Sequence, residues 1–408
     1  MNCKTINKIL SETSYVRLSG TEEEKKCAEY IKSFCCNLNI DAKLEPFPVV
    51  MYDEKFAKLV VDGKEIPCKG YLGVLNGSVK AKLYYLQNVD DVSLKKCKGK
   101  IVLSDKPVGY NLYDKLIEYG AKGFITYNGN RAFNDKDIEQ REMWFETASE
   151  GYIPGVNVHV SDAFDIVKSD GKLAEIEIEQ SAYTGQSYNV IADIKGETDD
   201  MIVVSAHYDT TSLSVGAYDN MSSCIGLLHL AEYFSKSRPK RTIRLLWCGS
   251  EERGLWGSIE YCRTQKEQAS RTVLNINLDM LGAVMGRFVA FSCANQEMTD
   301  FIQSFLKKHR FGGEVRYGIR SSDSNSFVHF GIPAVSFARY APSDIAPVHT
   351  RYDTAQCVSA KQLLKDMKII TLFTDFFANA DEFSVSMEIS EKIKEDVSNY
   401  MSRRLSAK

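Results

Sequence analysis

Residues 201–220 read MIVVSAHYDTTSLSVGAYDN, and residues 242–258 read TIRLLWCGSEERGLWGS. Each stretch opens with an apolar run rich in β-branched residues, which is typical of a buried strand. Each run then ends abruptly in glycine and in acidic or imidazole side chains. Parallel-sheet proteins hold their functional groups where strands end and loops begin. We therefore predict two strands of one sheet, with a functional site at the ends of both.

Strands and helices alternate along the chain from Ser187 to the helix at 360–378. This alternation predicts an α/β fold in which a mixed, mostly parallel sheet is flanked by helices. Nearer the N-terminus, Thr21 begins a capping box with Glu24 at its third position, so a helix is expected there. Residues 385–408 form a separate amphipathic helix, for which a lid, a packing strut and a dimer contact are all open.

Between residues 65 and 183 short strands predominate, and we find no cluster of acidic residues with histidine. A binding site needs converging polar groups, so we interpret this region as a small packed, β-rich domain without chemistry. The Asp-Gly pair at 62–63 predicts a hairpin turn, and Trp144 is expected in an exposed loop. The predicted organisation is a catalytic domain formed by 1–64 and 184–408, with an insert at 65–183.

Composition excludes several classes of function. The 408 residues carry 51 basic and 54 acidic side chains, for a net charge of −3, without a basic stripe that would suggest nucleic acid as a partner. The polar N-terminus does not resemble a signal peptide, and no apolar run reaches membrane-spanning length. The eleven cysteines have no regular spacing, so we interpret them as reduced thiols and expect a cytoplasmic protein.

Five residues near predicted strand ends form a candidate metal-binding set: His207, Asp219, Glu252, Asp279 and His349. Imidazole and carboxylate together suit zinc. A bridging carboxylate holds two ions roughly 3.5–4 Å apart, and Asp219 is the predicted bridge because it opens a helix after a glycine-containing loop. Clustered buried carboxylates are costly without a cation, which favours a metal site over coincidence.

Asp209 and Glu251 complete the predicted site. Residues i and i+2 of an extended chain point the same way, so Asp209 can accept the second imidazole proton of His207 and fix its tautomer. Asp353 offers the same support to the histidine four residues before it. Glu251 is left free beside Glu252, and a free carboxylate next to a metal-activated water is a general base.

These residues lie in motifs that resemble a known family. AHYDT, GAYDN, GSEERGLWGS, NLDM, SSDSNSF and VHTRYDT together resemble the co-catalytic di-zinc aminopeptidases, a group that includes bacterial leucyl aminopeptidase, aminopeptidase Y and glutamate carboxypeptidase II. The resemblance covers Thr21–Phe47 and Ser187–Phe377. It implies a zinc exopeptidase fold of the phosphorylase/hydrolase-like type and release of N-terminal amino acids from peptide substrates. It also implies two Zn²⁺ per chain, one on His207 and Asp279 and one on Glu252 and His349, with Asp219 as bridge, Glu251 as catalytic base and Asp209 behind the first histidine.

The insert resembles a protease-associated domain through KGKIVLSD, YGAKGFITY and YIPGVNVHVSDA, which implies that it restricts the active-site cleft. One departure from the family pattern is Tyr218, because a smaller or acidic residue usually precedes the bridging aspartate. We expect this tyrosine to change the packing near the metals without removing a ligand.

The direction of cleavage stays open, because the same family contains carboxypeptidases. An aminopeptidase needs carboxylates for the substrate's α-amine, whereas a carboxypeptidase needs cations for its carboxylate. Arg320, Arg339 and Arg351 are near the site in sequence, although we expect Arg320 to be an ordinary surface arginine. Tyr340 is a candidate oxyanion donor. A dipeptidase, an inactive binding module and a single-zinc transferase similar to glutaminyl cyclase are further alternatives, and a homodimer is compatible with the C-terminal helix.

Overall fold

The computed structural model describes residues 1–143 and 152–405. Trp144, which we expected in an exposed loop, lies outside the described residues. The chain divides into two compact units. The first comprises Met1–Val49 with Gly185–Arg404, and the second comprises Val50–Thr184.

The chain begins in the first unit with α1 (Cys3–Glu12), α2 (Glu22–Asn37) and the start of β1 (Ala42–Val61). Helix α2 begins at the predicted capping box. The Thr21 hydroxyl accepts a hydrogen bond from the backbone N–H of Glu24 at 3.3 Å, and the Glu24 carboxylate accepts one from the N–H of Gly20 at 2.7 Å. The capping box is therefore present, although Glu24 reaches one residue further back than the ideal motif.

The second unit is built around a parallel sheet with helical connections. Its elements are β2 (Lys64–Ile66), β3 (Lys69–Gly70), β4 (Gly77–Leu86), α3 (Asp91–Leu94), β5 (Lys100–Ser104), α4 (Tyr110–Glu118), β6 (Gly123–Asn128), β7 (Gly155–His159), α5 (Val160–Ile166) and β8 (Leu173–Ile194). Strands β4, β5, β6 and β7 are parallel neighbours, while β3 and β8 pair antiparallel with β7 and β4.

The predicted hairpin joins β1 to β2. Asp62 and Gly63 both have positive φ, at 50° and 78°, as a two-residue hairpin turn of type I′ requires. Leu59 and Ile66, one on each arm, are buried in the hydrophobic core of the second unit. The junction between the units consequently falls at Val49–Val50, upstream of the boundary at residues 64 and 65 that the sequence suggested.

The chain returns to the first unit along β8 and continues as an α/β array. Its elements are β9 (Thr198–His207), α6 (Ser222–Phe234), β10 (Arg241–Cys248), α7 (Trp256–Thr264), α8 (Lys266–Arg271), β11 (Thr272–Leu278), β12 (Arg287–Cys293), α9 (Gln296–Lys308), β13 (Glu314–Tyr317), α10 (Ser324–His329), β14 (Ala334–Tyr340), α11 (Ala360–Asn379) and α12 (Glu391–Leu405). The strand order is β13-β12-β14-β11-β9-β10-β8. Only the β12–β14 and β8–β10 pairs in this order are antiparallel, so the predicted mixed, mostly parallel sheet is confirmed.

Helices bury both faces of this sheet. Along β9, Ile202 and Val204 belong to one hydrophobic core, together with residues of α6 and α11. The alternate residue Val203 belongs to a second core with Tyr261 of α7 and Phe327 of α10. Successive strand residues point to opposite faces, so the continuous apolar run of β9 is explained by burial on both sides.

The sheet brings four strand ends to one edge. Strands β14, β11, β9 and β10 are consecutive parallel neighbours, so their carboxyl ends lie side by side. The residues that follow these ends include Asp279 after β11 and Glu251 after β10, while His207 is the last residue of β9. This edge is where the sequence predicts the functional site.

The C-terminal helix α12 packs on its own chain. Ile393, Val397 and Met401 are at most 1 % exposed, and the Tyr400 hydroxyl lies 2.5 Å from the hydroxyl of Ser321. Of the three roles left open for this helix, the structure favours a packing strut, because its apolar residues are already covered within the chain.

Two further findings concern the described residues as a whole. Each of the eleven cysteines is a free thiol. Within residues 1–143 and 152–405, none of the helices has the length and apolar composition that crossing a bilayer requires.

Gly257 provides a test of the packing around the β10 edge. It lies in the first turn of α7, where its N–H donates to the carbonyl of Gly249 at 3.0 Å, and a Cβ at this position would overlap that carbonyl and the side chain of Asn189. We expect Gly257→Ala to lower the free energy of unfolding by about 1–3 kcal/mol, as overpacking does. Urea unfolding of both proteins measures the difference.

Gly312→Ala is the matched control, because a Cβ there meets open space and the backbone does not have positive φ. We expect this control to be neutral or slightly stabilising, through the unfolded chain. Equal unfolding midpoints for the two variants would contradict the close packing of α7 against residue 249.

Candidate active site

The five predicted metal-binding residues lie together. They line one cavity of about 320 Å³ at the carboxyl edge of the first unit's sheet, together with Glu251, Met280, Arg320, Ser321, Tyr340 and Val348. The cavity is at the lower end of the size range of small-molecule sites, which span roughly 300–1,000 Å³. The cavity is therefore lined by potential metal ligands on one hand and by a few apolar and aromatic side chains, Met280, Tyr340 and Val348, on the other.

Asp219 lies between the two predicted metal positions. Its Oδ1 is 3.2 Å from Nε2 of His207, and its Oδ2 is 3.4 Å from Nε2 of His349. His207 Nε2 is also 3.9 Å from Asp279 Oδ1, and His349 Nε2 is 3.1 Å from Glu252 Oε2. Two clusters of donor atoms result, one of His207, Asp219 and Asp279 and one of Asp219, Glu252 and His349. Asp219 is the shared member, as a bridging carboxylate has to be.

Glu251 lies next to the cluster formed by His207, Asp219 and Asp279. Its Oε2 lies 4.0 Å from Nε2 of His207, and it also forms a potential metal-binding group with His207 and Glu252. The predicted pairing of the ligands leaves Glu251 outside both clusters that share Asp219. Its carboxylate is then free, within reach of any atom bound between those clusters.

The electrostatics of the site fit a divalent metal. Burial and the neighbouring carboxylate of Glu252 raise the pKa of Glu251 well above its usual value, even though His207 opposes the shift. Burial lowers the pKa of His207, but Glu251 and Asp219 outweigh this and raise it. Without a metal, protons on the imidazoles and on Glu251 therefore offset part of the negative charge. Cations in place of those protons would relieve the same repulsion, which is how metal binding displaces protons from ligands.

Asp209 lies behind His207, where the sequence predicts it, and has a second role. Its Oδ1 is 3.4 Å from Nδ1 of His207, the imidazole nitrogen that points away from Asp219. The Asp209 carboxylate also accepts the backbone N–H groups of Glu251 at 2.9 Å and Glu252 at 3.1 Å. Asp209 holds the loop that carries both glutamates.

The prediction for Asp353 was wrong about its partner. Asp353 is fully buried, and its two carboxylate oxygens accept the backbone N–H groups of Tyr218 at 2.7 Å and Asp219 at 3.0 Å. It therefore supports the shared ligand Asp219 and not His349. Sequence spacing could not reveal this, because the two partners are more than 130 residues apart.

Sequence reasoning missed Arg17 completely. This buried side chain donates to the carbonyls of Tyr208 at 2.6 Å, Val215 at 2.7 Å and Gly216 at 3.0 Å. It thereby anchors both ends of the loop that separates His207 from Asp219. A single arginine in SYVRLSG has no pattern that distinguishes it, since its partners are backbone groups that any sequence supplies.

Three site positions have a left-handed backbone without glycine. Ser250 precedes Glu251 and has φ of 57°, Met280 follows Asp279 and has φ of 61°, and His349 has φ of 59°. Such conformations cost on the order of 1–3 kcal/mol each and persist where the surroundings determine them. They occur where three loops turn their side chains into the cavity.

The arginines near the site differ from one another. Arg320, expected at the surface, lies inside: its side chain is 9 % exposed and its Nη2 lies 2.7 Å from Asp279 Oδ2. Arg339 is paired with Asp366 in a bidentate contact and does not line the cavity. The expectation for Arg320 failed because residues 318–323 form a loop, for which burial cannot be inferred from periodicity.

Asp353→Asn tests the support of Asp219. An amide keeps one acceptor oxygen but presents an NH₂ group to the second backbone N–H, so one buried hydrogen bond is lost. We expect the affinity for zinc of the chelator-stripped protein to fall by about 10–100-fold, as for other residues that orient metal ligands. Calorimetric titration with zinc measures it. Asp381→Asn, at a side chain that is 96 % exposed, is the control, and an unchanged affinity in Asp353→Asn would contradict the assigned role.

Comparison with known proteins shows which family the residues of the site resemble. The sequence model of Peptidase family M28 matches residues 189–374. The chain is 29 % identical over 286 residues to Aminopeptidase YwaD of Bacillus subtilis, a match that covers 67 % of this chain and 60 % of the relative. It is 26 % identical over 173 residues to an aminopeptidase of Pseudomonas aeruginosa, covering 42 % and 32 % of the two chains. The chain thus spans three fifths or less of these curated relatives.

Solved structures share the fold along almost the whole chain. The structure of BSAP, a zinc aminopeptidase from Bacillus subtilis, superposes with a TM-score of 0.76 at 24 % identity, covering 96 % of this chain and 99 % of that one. The aminopeptidase from Aneurinibacillus sp. strain AM-1 gives a TM-score of 0.72 at 23 % identity, with 94 % and 96 % coverage. The matched stretch 189–374 contains all five clustered ligands, Asp209 and Glu251. Over this stretch the chain is similar to peptidase family M28.

Proposed function

We propose that the protein is a zinc-dependent aminopeptidase that uses two zinc ions and Glu251 as a general base. The observation that carries the proposal is the sharing of Asp219 between two clusters of metal-binding side chains, with the carboxylate of Glu251 4.0 Å from His207 beside them. The relatives named aminopeptidases and the zinc aminopeptidase with the same fold support the reaction class.

The donor set supports zinc in particular. Two imidazoles and three carboxylates offer the nitrogen and oxygen ligands that zinc binds. Each cluster supplies three protein groups, which leaves a coordination position for water or substrate, as catalytic zinc sites do. His207, Asp219 and Asp279 would hold one ion, and Asp219, Glu252 and His349 the other.

The residues of this chain account for the proton transfers of peptide hydrolysis. Zinc at this site supplies Lewis acidity, which polarises the scissile carbonyl and acidifies water. Glu251 accepts one proton from the attacking water, whose oxygen bonds to the carbonyl carbon. The same carboxyl then gives that proton to the leaving amine as the C–N bond breaks. Asp209, through the N–H groups of Glu251 and Glu252, sets the position from which both carboxylates act.

A carboxypeptidase or dipeptidase on the same site is the second candidate. The observation that favours it is the buried Arg320 in the cavity, a cation suited to a substrate carboxylate. An inactive binding module is disfavoured, since every predicted ligand faces the same cavity. The protease-associated identity of 65–183, a cytoplasmic location and a homodimer stay predictions.

Glu251→Gln tests the general base. The amide has nearly the shape of the carboxylate but cannot take a proton, so we expect kcat to fall by about 10²–10⁴-fold while zinc content stays near that of the wild type. Elemental analysis and turnover of leucine anilide measure the two quantities. The control is Glu267→Gln, an exposed glutamate paired with Arg271 on α8. A Glu251→Gln enzyme with wild-type turnover would remove Glu251 from the mechanism.

Substrate blocking tests the direction of cleavage. We expect zinc-loaded protein to hydrolyse aminoacyl anilides with a free α-amine, to leave their N-acetylated forms intact and to lose activity after chelation. Equal turnover of free and N-acetylated substrates would overturn the aminopeptidase reading. Cleavage restricted to substrates with a free C-terminal carboxylate would establish the carboxypeptidase or dipeptidase instead.

A further inference from the structure

The cavity contains a cation that the metal-binding scheme does not need. Arg320 lines the cavity beside the clustered ligands. Its Nη2 donates to Asp279 Oδ2 at 2.7 Å and its Nη1 to the carbonyl of Asp279 at 3.4 Å. A guanidinium has five N–H donors in a planar fork. Among the described contacts, Asp279 engages two of them, so Arg320 retains donors for a further partner.

Tyr340 is the second residue of the proposed site and lies beside Arg320 in the same cavity. The centre of the Arg320 guanidinium lies 5.1 Å from the centroid of the Tyr340 ring, within the range of a cation–π contact. Both side chains line the cavity. The Tyr340 hydroxyl adds a neutral donor beside the charged one, and this combination suits a carboxylate.

Both groups are held in place by neighbouring contacts. The Asn325 side chain donates to the carbonyl of Arg320 at 2.6 Å. The hydroxyl of Tyr218 donates to the carbonyl of Arg339 at 2.6 Å and accepts from the N–H of Ala341 at 3.2 Å. Tyr218 thus fixes the backbone on both sides of Tyr340, which gives a role to the one departure from the family pattern.

The burial of Arg320 favours an anionic partner. Its side chain is 9 % exposed, and Asp279 is its acceptor among the described contacts. A substrate carboxylate at the remaining donors would pair with this guanidinium in a site where water screens little.

We propose that Arg320 and Tyr340 form a subsite that binds a carboxylate of the substrate. The proposal rests on the proposed peptidase function and narrows its substrate class. The carboxylate has two sources in a peptide: the side chain of an acidic N-terminal residue, or the free C-terminus of a dipeptide. Arg339 does not compete for this role, because its guanidinium is occupied by Asp366 and by the carbonyl of Gly286.

Two substrate pairs test the subsite, each differing only in one negative charge. Glutamyl and glutaminyl anilides probe the side-chain source, and leucyl-glycine with leucyl-glycinamide probes the C-terminal source. We expect wild-type kcat/KM to favour the charged member of one pair by about tenfold or more, as for a hydrogen bond to a charged group. The pair that shows the preference identifies the source. No preference in either pair overturns the proposal.

Arg320→Gln should bring this ratio close to one, mainly by raising KM for the charged member. Tyr340→Phe removes only a hydroxyl, and should reduce the ratio by a smaller factor, about threefold. Arg271→Gln is the matched control, since Arg271 pairs with Glu267 on α8 and does not line the cavity, and it should leave the ratio unchanged. If Arg320→Gln lowers kcat equally for charged and neutral members, Arg320 only positions Asp279 and the subsite is overturned.

The readouts separate this inference from the function on which it rests. If zinc-loaded wild type turns over none of the four substrates, the proposed function fails. Calorimetric titration of the same protein with free glutamate and free glutamine then decides the subsite. Tighter binding of glutamate, lost in Arg320→Gln, supports it, and equal or undetectable binding of the two amino acids overturns it.

Discussion

The repulsion among buried carboxylates is the constraint on which the rest of the structure depends. Asp219, Glu251, Glu252 and Asp279 meet at one sheet edge with two imidazoles between them. Cations or protons stabilise such a group, and the raised pKa of Glu251 reflects the repulsion among the carboxylates together with their burial. The buried carboxylates follow three neighbouring strands, β9, β10 and β11, and their concentration at one edge indicates a functional role for the charge. Metal-assisted hydrolysis is the use that the residue types support.

The buried residues that stabilise the site form hydrogen bonds mainly with backbone groups of the site loops, and less with the side chains of the ligands. Arg17 joins the two ends of the loop between His207 and Asp219 through carbonyl groups. Asp353 and Asp209 accept the N–H groups of the residues that bear the ligands and the base. Glu24 lies behind these residues. Its carboxylate accepts a hydrogen bond from the Ser187 hydroxyl at 2.6 Å, and burial raises the pKa of Glu24 to about 8. Each support fixes a loop, and the loop in turn fixes the direction of a ligand.

The strand ends were predictable because buried strands leave local apolar patterns in the sequence. The run before His207 is largely apolar, and the run before Asp279 alternates apolar residues with Asn275 and Asn277. Polar residues mark where both runs stop, so the ligand set followed from local patterns. The supports were not predictable. Arg17 and Asp353 act over separations of more than 130 residues on backbone groups, which carry no sequence signal. The prediction of a surface position for Arg320 was wrong for a related reason. Arg320 lies in a loop, where no hydrophobic periodicity indicates which side chains are buried.

The most direct test of the central claim is anomalous X-ray diffraction at the zinc absorption edge from crystals of the zinc-loaded protein. The account predicts two peaks per chain. One should lie among His207, Asp219 and Asp279, the other among Asp219, Glu252 and His349, with roughly 3.5–4 Å between them. A single peak, or two peaks that do not share Asp219, would contradict the bridged site. Peaks confined to other parts of the chain would contradict the metal centre altogether.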